Sequence, residues 1–465
     1  MTEQTLPACC PEYASTGAID LLRARDYSRL DRLDHVYLDY TGGGLYSDSQ
    51  IERHNELLRT HVFGNPHSHN PTSETITGLV EHARLRVLDF FNAPHDEYAA
   101  IFTSNASAAL KLVGESYPFR RGGRYLLTID NHNSVNGVRE FARARGATIR
   151  YAGIRLTDMR VVESELDEAL SAAPSEAPSL FAYPAQSNFS GVQHPLEWIG
   201  KAKRLGWHVL LDAAAFVPTN QLDLSVWKPD FVTISFYKMF GYPTGVGCLL
   251  ARREALRLLR RPWFAGGTIT VASVQGDRHF MADGAAAFED GTPDYLNIPA
   301  VEYGLDHLQC IGMDLIHRRA GCLTRMLLKG LGDIRHPNGR ELVRIYGPLD
   351  SEMRGGTVAM NLFAADGGLI DHRDVESAAS SCGISLRTGC FCNPGGGEVA
   401  LEITPDELTG CFTQPEVQRT DRFTIDDFRL CVHGKGSGAV RVSVGVVSNI
   451  ADVARFLAFA RGFAS

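Results

Sequence analysis

The sequence has no uninterrupted apolar run that approaches the roughly 18 residues needed to cross a lipid bilayer. Its first residues, MTEQTLPACCPEYAS, contain neither the basic stretch nor the apolar stretch that begins a secretory signal. Both absences argue against a membrane or exported protein. We therefore predict a cytoplasmic protein with no membrane partner.

Positive charge is not in excess, because 46 Lys and Arg stand against 54 Asp and Glu. Nucleic-acid binding relies on concentrated positive charge, so we predict no nucleic-acid partner. Cysteine is also sparse, with 10 in 465 residues. This density is too low for a disulfide scaffold, and we expect reduced thiols. Cys248, Cys310 and Cys322 stand in apolar contexts and are predicted to be buried free thiols.

The composition, 44% hydrophobic and 22% charged, is typical of a globular protein with large cores. Short apolar runs alternate with helical patterns between residues 75 and 320, which predicts an α/β fold with a mostly parallel sheet of the seven-stranded type. The predicted core strands are residues 98–102, 124–129, 179–184, 208–213, 230–236 and 245–251. Further along, AVRVSVGVV (439–447) predicts a strand and ADVARFLAFARGF (451–463) a terminal helix.

The pattern changes near residue 320, and this change suggests a division of the chain into three stretches. Residues 321–465 mix helices and strands and are predicted to form a smaller α+β domain that carries a cysteine loop. Residues 71–320 are predicted to be the large domain. Residues 1–70 are predicted to contribute to the small domain and to the mouth of the active site.

Ligands of open α/β sheets bind beyond the carboxyl ends of the strands, so the residues that follow each strand are of interest. After residues 98–102 comes TSNASAALKLV, where N–H groups near Ala106 and Ser107 could bind a phosphate or could belong to a plainly capped helix. His132 follows the next strand, where an imidazole could stack on a flat cofactor or could be structural.

Three later strand ends carry an amide, a carboxylate and an amine: Asn188, Asp212 and Lys238. A carboxylate at the end of an apolar strand requires a partner such as a protonated ring nitrogen. Lys238 stands in a turn rich in glycine and aromatic residues, away from a solvated helix face. This set suits pyridoxal phosphate, since a lysine bonds to the cofactor, an aspartate pairs with its ring nitrogen and a helix N-terminus holds its phosphate.

Two other patterns are disfavoured. SFYK (235–238) matches the S-x-x-K signature that would make Ser235 a nucleophile, but its companions S-D-N and K-T-G are missing. Cys390 and Cys392 lack the spacing of a structural zinc site and have no second pair nearby. We therefore predict no metal.

The chain resembles the class V aminotransferase-like, fold-type I pyridoxal phosphate enzymes, and within them the cysteine desulfurase domain of molybdenum cofactor sulfurases. The segments that carry the resemblance are VYLDYTGGGLYSDSQ, FGNPHSHN, FTSNASAALKLV, FAYPAQSNFSGVQHPLEWI, VLLDAAAFVPT, ISFYKMFGYPTGVG, FEDGTP, LRTGCFCNPG and GAVRVSVGVVSNIADVARFL.

The resemblance implies a role for each site residue. Lys238 would bond to the cofactor and move the Cα proton, Asp212 would pair with the ring nitrogen, and His132 would stack on the ring. Around the phosphate it implies Ala106, Ser107, Ser235 and Tyr237, with Thr292 from the other subunit of a homodimer. Asn188, Arg441 and Arg387 would bind the substrate, and Cys392 would accept the sulfur. Related desulfurases often have Gln near the phenolic oxygen of the cofactor, where this chain has Ala215.

The implied function is that of a cysteine desulfurase, which forms a persulfide on Cys392 and alanine from L-cysteine. Because the family continues into a domain that binds the molybdenum cofactor and this sequence ends at Ser465, we expect a separate sulfur acceptor. An alternative is a class V C–S lyase, aminotransferase or related enzyme that acts on another amino acid. A third hypothesis is a catalytically silent scaffold. Cys390 could share the persulfide or be a bystander.

Overall fold

The computed structural model describes residues 10–66, 68–172, 176–418, 422–432, 436 and 438–464. No helix in these ranges combines the length and the apolar character that a membrane crossing requires. The strands, numbered in chain order, are β1 Val36–Tyr37, β2 Tyr98–Thr103, β3 Arg124–Thr128, β4 Thr148–Ala152, β5 Leu180–Pro184, β6 His208–Asp212, β7 Phe231–Ser235, β8 Gly247–Arg252, β9 Ile269–Ser273, β10 Arg278–Met281, β11 Val343–Tyr346, β12 Thr357–Leu362, β13 Ile384–Ser385, β14 Arg387–Gly389 and β15 Ala439–Ser443.

Helices surround these strands, and two short 3-10 helices lie at Pro11–Thr16 and Gly284–Phe288. The α-helices are α1 Ala18–Asp26, α2 Arg29–Arg32, α3 Asp48–Thr60, α4 Pro71–Phe90, α5 Ala106–Ser116, α6 Asn133–Asn136, α7 Val138–Ala144, α8 Glu163–Ser171, α9 Glu197–Arg204, α10 Phe236–Phe240, α11 Arg253–Leu256, α12 Ile298–Ile311, α13 Met313–Gly332, α14 His372–Ser381, α15 Pro394–Ala400, α16 Pro405–Phe412, α17 Pro415–Gln418, α18 Ile425–Cys431 and α19 Ile450–Arg461.

A seven-stranded sheet with the order β2-β8-β7-β6-β5-β3-β4 forms the centre of the fold. Its neighbouring strands are parallel except at β8, which runs antiparallel to both β2 and β7. The sheet confirms the predicted α/β class and all six predicted core strands. It also contains β4, which the sequence reading missed because this edge strand alternates exposed and half-buried residues instead of forming a continuous apolar run.

Successive side chains of the core strands point to opposite faces of the sheet, and both faces are covered. In β3, for example, Leu126 joins the apolar cluster on one face, while Tyr125 and Leu127 join the cluster on the other. Strands that are buried on both faces must be apolar throughout. This requirement explains the near-continuous hydrophobic runs that made these strands visible in the sequence.

A second, four-stranded antiparallel sheet has the order β11-β12-β15-β14. It packs with α13 and α19 around a separate apolar core, to which Val36 and Leu38 of the N-terminal stretch also contribute. The predicted strand in 439–447 and the predicted terminal helix are confirmed as β15 and α19. The boundaries at 70/71 and 320/321 stay predictions, and α13 runs through the second of them.

The cysteine predictions need correction. Cys322 is not a free thiol, because it forms a disulfide with Cys10 across a sequence separation of 312 residues, and Cys411 is bonded to Cys431. Cys310 is free but exposed, so only the prediction for Cys248, a buried free thiol, is confirmed. The Cys10–Cys322 pair arises from packing of the first 3-10 helix against α13, a long-range contact that no local pattern reveals.

Candidate active site

The carboxyl ends of β3, β5, β6 and β7 meet at one edge of the large sheet, where they surround a cavity of about 170 Å³. Most of the residues predicted for the site line this cavity together. Those residues are Ala106, Ser107, His132, Asn188, Asp212, Ser235, Tyr237 and Lys238. Parallel strands bring their ends to the same edge, which is why residues up to 132 positions apart in sequence meet here.

Lys238 lies in the short helix α10, directly after β7. Its amine has no hydrogen-bond partner within the described part of the chain, and its side chain reaches the cavity. Burial lowers the pKa of the amine; Asp212 partly offsets this effect, and Arg441 adds to it. An amine with a lowered pKa is the form of lysine that bonds to a carbonyl or accepts a proton.

Asp212, the last residue of β6, is 8% exposed. One of its oxygens, Oδ1, accepts from the backbone N–H of Ala214 at 3.0 Å and lies 3.4 Å from the hydroxyl of Thr233. The other oxygen has no protein donor among the residues described. Because a buried carboxylate requires a donor or a positive charge, Asp212 is suited to pair with a cationic group of a ligand.

His132 caps α6, and its Nδ1 accepts from the backbone N–H of Ser134 at 3.1 Å. This bond places the ring proton on Nε2. Burial lowers the pKa of the imidazole, Asp212 opposes that shift, and Lys238 adds to it. The ring is therefore neutral at pH 7 and is suited to stack on a flat ligand.

The N-terminus of α5 lies at another part of the cavity. Asn105 caps this helix by accepting from the Ala108 N–H at 2.9 Å. The Ala106 N–H donates to Ser235 Oγ at 3.0 Å, and the Ser107 hydroxyl bonds to the Ser134 hydroxyl at 2.6 Å. Ser134 was not predicted, since it belongs to the loop after a different strand. The cluster combines hydroxyl groups with a helix N-terminus, a combination that binds phosphate.

The loop that carries Cys392 is held beside the cavity by side-chain amides. Phe391 and Cys392 both have positive φ values, 54° and 55°, so the thiol projects from a tight turn and is exposed. The Asn188 amide donates to the Phe391 carbonyl at 2.7 Å, and the Asn393 amide donates to Asn188 Oδ1 at 2.9 Å. The Cys392 carbonyl accepts from the Asn133 N–H at 2.6 Å. The Cys392 backbone is thereby tied to the first residue of α6, the short helix that His132 caps.

Asn393 is fully buried and was not among the predicted residues. Its amide also donates to the Asp130 carbonyl at 2.6 Å, and its Oδ1 caps α15 by accepting from the Gly396 N–H at 3.0 Å. Asn188 has both ends of its amide engaged with this loop. The amide predicted to bind substrate is thus occupied in positioning the cysteine loop.

Arg441 and Arg387 share one carboxylate, that of Asp39, which the sequence reading had not singled out. Arg387 donates three bonds to the two oxygens of Asp39, at 2.6, 3.0 and 3.1 Å, and Arg441 donates one at 3.0 Å. Arg441 also donates to the Asn188 carbonyl at 2.9 Å, and its guanidinium lies 4.7 Å from the Phe391 ring centroid. Burial lowers the pKa of Arg441 to about 10, whereas the bond to Asp39 raises that of Arg387.

Thr292 does not join the other predicted residues within one chain. It lines a separate cavity of about 310 Å³, which also contains Ser104, Ala108 and Asp290. The prediction assigned Thr292 to the site of a second subunit, so its position in one chain leaves that prediction untested.

These residues fit pyridoxal phosphate. Among the described residues, neither the Lys238 amine nor one oxygen of Asp212 has a protein partner, and both border the same cavity. Gly247 maintains the close approach of β8 to the start of α5, since a Cβ there would lie 2.5 Å from the Asn105 Cα. The site thus offers an amine, an acceptor for a ring N–H and a phosphate cradle, which are the groups this cofactor requires.

Comparison with known proteins agrees with this geometry. The profile of the aminotransferase class-V family matches residues 36–456. Molybdenum cofactor sulfurase of Solanum lycopersicum is 37% identical over 473 residues, which is 95% of this chain and 56% of that protein. This chain spans about half the length of the curated relatives it matches.

Two solved structures have the same fold. The apo cysteine desulfurase of Thermococcus onnurineus superposes with a TM-score of 0.77 at 24% identity, over 96% of this chain and 98% of that one. The cystine C–S lyase C-DES, in complex with its product cysteine persulfide, superposes with a TM-score of 0.69 at 18% identity, over 93% and 98% of the chains. At these identities the likeness establishes the fold.

Proposed function

This chain belongs to the aminotransferase class-V family, and we propose that it is a pyridoxal-phosphate-dependent cysteine desulfurase. The observation that carries the proposal is the juxtaposition of Lys238, Asp212 and His132 around one cavity with an exposed thiol, Cys392, on an ordered loop beside it. The first three residues suit amino-acid chemistry on the cofactor. The thiol adds a nucleophile for sulfur, which a plain aminotransferase does not need.

Pyridoxal phosphate, when bound, withdraws electrons from the α-carbon of an amino acid. Lys238 would hold it, Asp212 would pair with its ring nitrogen, and the start of α5 with Ser235 and Tyr237 would bind its phosphate. His132 would stack on its ring. The groups that border the cavity support each of these assignments.

The chain's own residues then account for the reaction. The lowered pKa of Lys238 makes its amine able to accept the Cα proton of L-cysteine. Cys392 bonds to the substrate sulfur as the Cβ–S bond breaks, so Cys392 becomes a persulfide. The electron pair of the broken bond stays with the carbon skeleton, which takes up one proton at Cβ, regains one at Cα and leaves as alanine. The Arg387–Arg441–Asp39 cluster carries one net positive charge, which matches one substrate carboxylate.

The persulfide sulfur then passes to a separate acceptor, which we propose to be a protein or a cofactor carrier. The exposure of Cys392 supports transfer to an outside molecule. We further propose a homodimer in which Thr292 approaches the phosphate site of the partner subunit. The domain division at residues 70/71 and 320/321 also belongs to this proposal, since it places the cysteine loop in the C-terminal part.

The test is to incubate the purified protein with pyridoxal phosphate, L-cysteine and a reductant, and to quantify alanine, sulfide and pyruvate. Alanine equal to sulfide is expected, with loss of both in Cys392→Ser and in Lys238→Ala. Cys248→Ser, which removes a buried thiol away from the cavity, is the matched control and should retain activity. Pyruvate in place of alanine would indicate a C–S lyase, the activity named for one structural relative.

A further inference from the structure

Gln186 follows β5 and borders the same cavity as Lys238, yet nothing so far assigns it a task. It is 3% exposed. A buried amide must have its donors and acceptor satisfied, or it carries a free-energy cost. Which of its two ends faces the cavity therefore decides what kind of ligand atom it can contact.

The side-chain amides of Asn220, Gln193 and Gln186 are hydrogen-bonded in series, and a backbone carbonyl fixes the orientation of the first of them, Asn220. The side chain of Asn220 contacts the Phe216 carbonyl oxygen at 2.9 Å, and a carbonyl oxygen only accepts. The atom facing that carbonyl must be Nδ2, so Oδ1 of Asn220 faces the other way. Oδ1 accepts from Gln193 Nε2 at 3.0 Å and faces His317 Nδ1 at 2.9 Å.

The same argument then fixes the orientation of the Gln186 side-chain amide. Because Gln193 must present Nε2 to Asn220, the same nitrogen donates to Gln186 Oε1 at 3.1 Å. The Oε1 of Gln186 is thus engaged, and its NH₂ group points away from Gln193. In the described part of the chain that group makes one hydrogen bond, to Thr357 Oγ1 at 3.5 Å, the outer limit of such a bond. That hydroxyl is already paired with Thr41 Oγ1 at 2.6 Å.

Gln186 thus carries N–H donors that protein atoms leave almost unused, and this residue borders the cavity. The neighbouring polar residue, Asn188, has its amide engaged with the cysteine loop. Ala215, which borders the cavity close to Gln186, has no polar side chain. Gln186, Ala215 and Lys238 also share a further space that α5 does not border, so they lie on the side away from the phosphate cradle.

We propose that Gln186 donates a hydrogen bond to the phenolic oxygen of bound pyridoxal phosphate. This inference rests on the proposed function, since it requires the cofactor to bind with its ring nitrogen at Asp212. The phenolic oxygen stands on the ring carbon next to the one that bonds to the lysine, on the side opposite the phosphate group. Gln186 borders both of the spaces that Lys238 borders, and α5 borders only one of them.

The experiment is a pH titration of the visible absorption band of the bound cofactor in the full-length protein. A donor that shares the negative charge of the phenolic oxygen makes the neighbouring nitrogen, which joins cofactor and lysine, less basic. We expect Gln186→Met to raise the midpoint of the colour change by about one pH unit. Gln186→Glu should raise it further, because a carboxylate repels the phenolic oxygen.

Two further variants make the test specific. Gln193→Met keeps Gln186 but removes the donor that orients it, and should raise the midpoint by a smaller amount. Gln193→Met also tests the proposal if a substitution of Gln186 itself prevents folding. Gln221→Met, at an exposed glutamine in the neighbouring loop, should leave the midpoint unchanged. The titratable groups around the cavity are unchanged in every variant: His132, Asp212, Tyr237, Lys238, Arg387, Cys392 and Arg441.

Each result separates this inference from the proposed function. If the wild-type protein gains no visible band with pyridoxal phosphate, the proposed function fails. If the band forms but Gln186→Met and Gln186→Glu titrate like Gln221→Met, the cofactor binds and the role of Gln186 is refuted. A midpoint that falls in Gln186→Met would equally overturn it, because loss of a donor cannot make that nitrogen less basic.

Discussion

Replacement of Asp39 by alanine should destabilise the protein strongly, and the reason lies in the unequal burial of its two partners. The Arg441 side chain is 2% exposed, whereas that of Arg387 is 49% exposed. Without Asp39, Arg387 can turn to water, and an exposed ion pair contributes at most about 1 kcal/mol. Arg441 cannot do so, because it is enclosed by the Asn188 carbonyl and the Phe391 ring.

Removal of one partner from a buried ion pair typically costs about 3–5 kcal/mol, because a charge is left buried and uncompensated. We therefore expect Asp39→Ala to lower the free energy of unfolding by about that amount. The double variant Asp39→Ala/Arg441→Met should recover most of the loss, since an apolar residue of similar length has no charge to compensate. The free energy of unfolding of Asp39→Asn should lie between that of the wild type and that of Asp39→Ala.

The assay is urea unfolding followed by tryptophan fluorescence, with the midpoint and the slope reported for each variant. Glu168→Ala is the control, since it breaks the ion pair with Arg150 at a side chain of α8 that is 72% exposed. The control substitution should lower the free energy of unfolding by no more than about 1 kcal/mol. The reasoning is refuted if Asp39→Ala costs no more than Glu168→Ala, or if the double variant is no more stable than Asp39→Ala.

Three other predictions follow from the same structure. Burial lowers the pKa of His132 below its ordinary 6.5. The neutral ring therefore contributes its full stability above pH 6.5, and this contribution is lost as the pH falls through the lowered pKa. In a plot of the free energy of unfolding against pH, His132→Phe should show a smaller decrease at acid pH than the wild type. Burial raises the pKa of the Cys248 thiol to about 12, so peptide mapping after iodoacetamide treatment at pH 8 should find Cys392 alkylated and Cys248 unmodified, and the reverse pattern would contradict the structure. Asn393→Ala should slow persulfide formation roughly 100-fold by releasing the cysteine loop, while the cofactor absorption band stays unchanged; loss of that band would point instead to a collapsed site.

The part of the site that was predictable lies at the ends of consecutive parallel strands. Asp212 and Lys238 each directly follow an apolar run, and the topology of a parallel sheet brings such positions together. Their chemistry is also local, since a carboxylate or an amine is out of place at the end of a buried strand unless a ligand is present. For these residues, pattern and function are visible in the same short segment.

The rest of the site depends on contacts that no local pattern encodes. Asp39 meets Arg441 across 402 positions and Arg387 across 348 positions of sequence. The orientation of the Gln186 amide is fixed by the Phe216 carbonyl through two other side chains. The first pairing forms where Asp39 lies beside β14 and β15, and the second where the loop after β5 meets the loop after β6, so only the folded chain reveals them.

The turn that carries Cys392 and the guanidinium of Arg441 are coupled in this arrangement. Arg441 stacks on Phe391, the residue before Cys392, and donates to the Asn188 carbonyl, while the Asn188 amide donates to the Phe391 carbonyl. The three residues form a closed set of contacts, so displacement of one alters the other two, and substitutions among them will not be additive. A substrate carboxylate that binds to Arg441 would therefore also affect the turn that carries the Cys392 thiol. The guanidinium that we propose to bind the amino acid is thus also part of the support for the turn that carries Cys392.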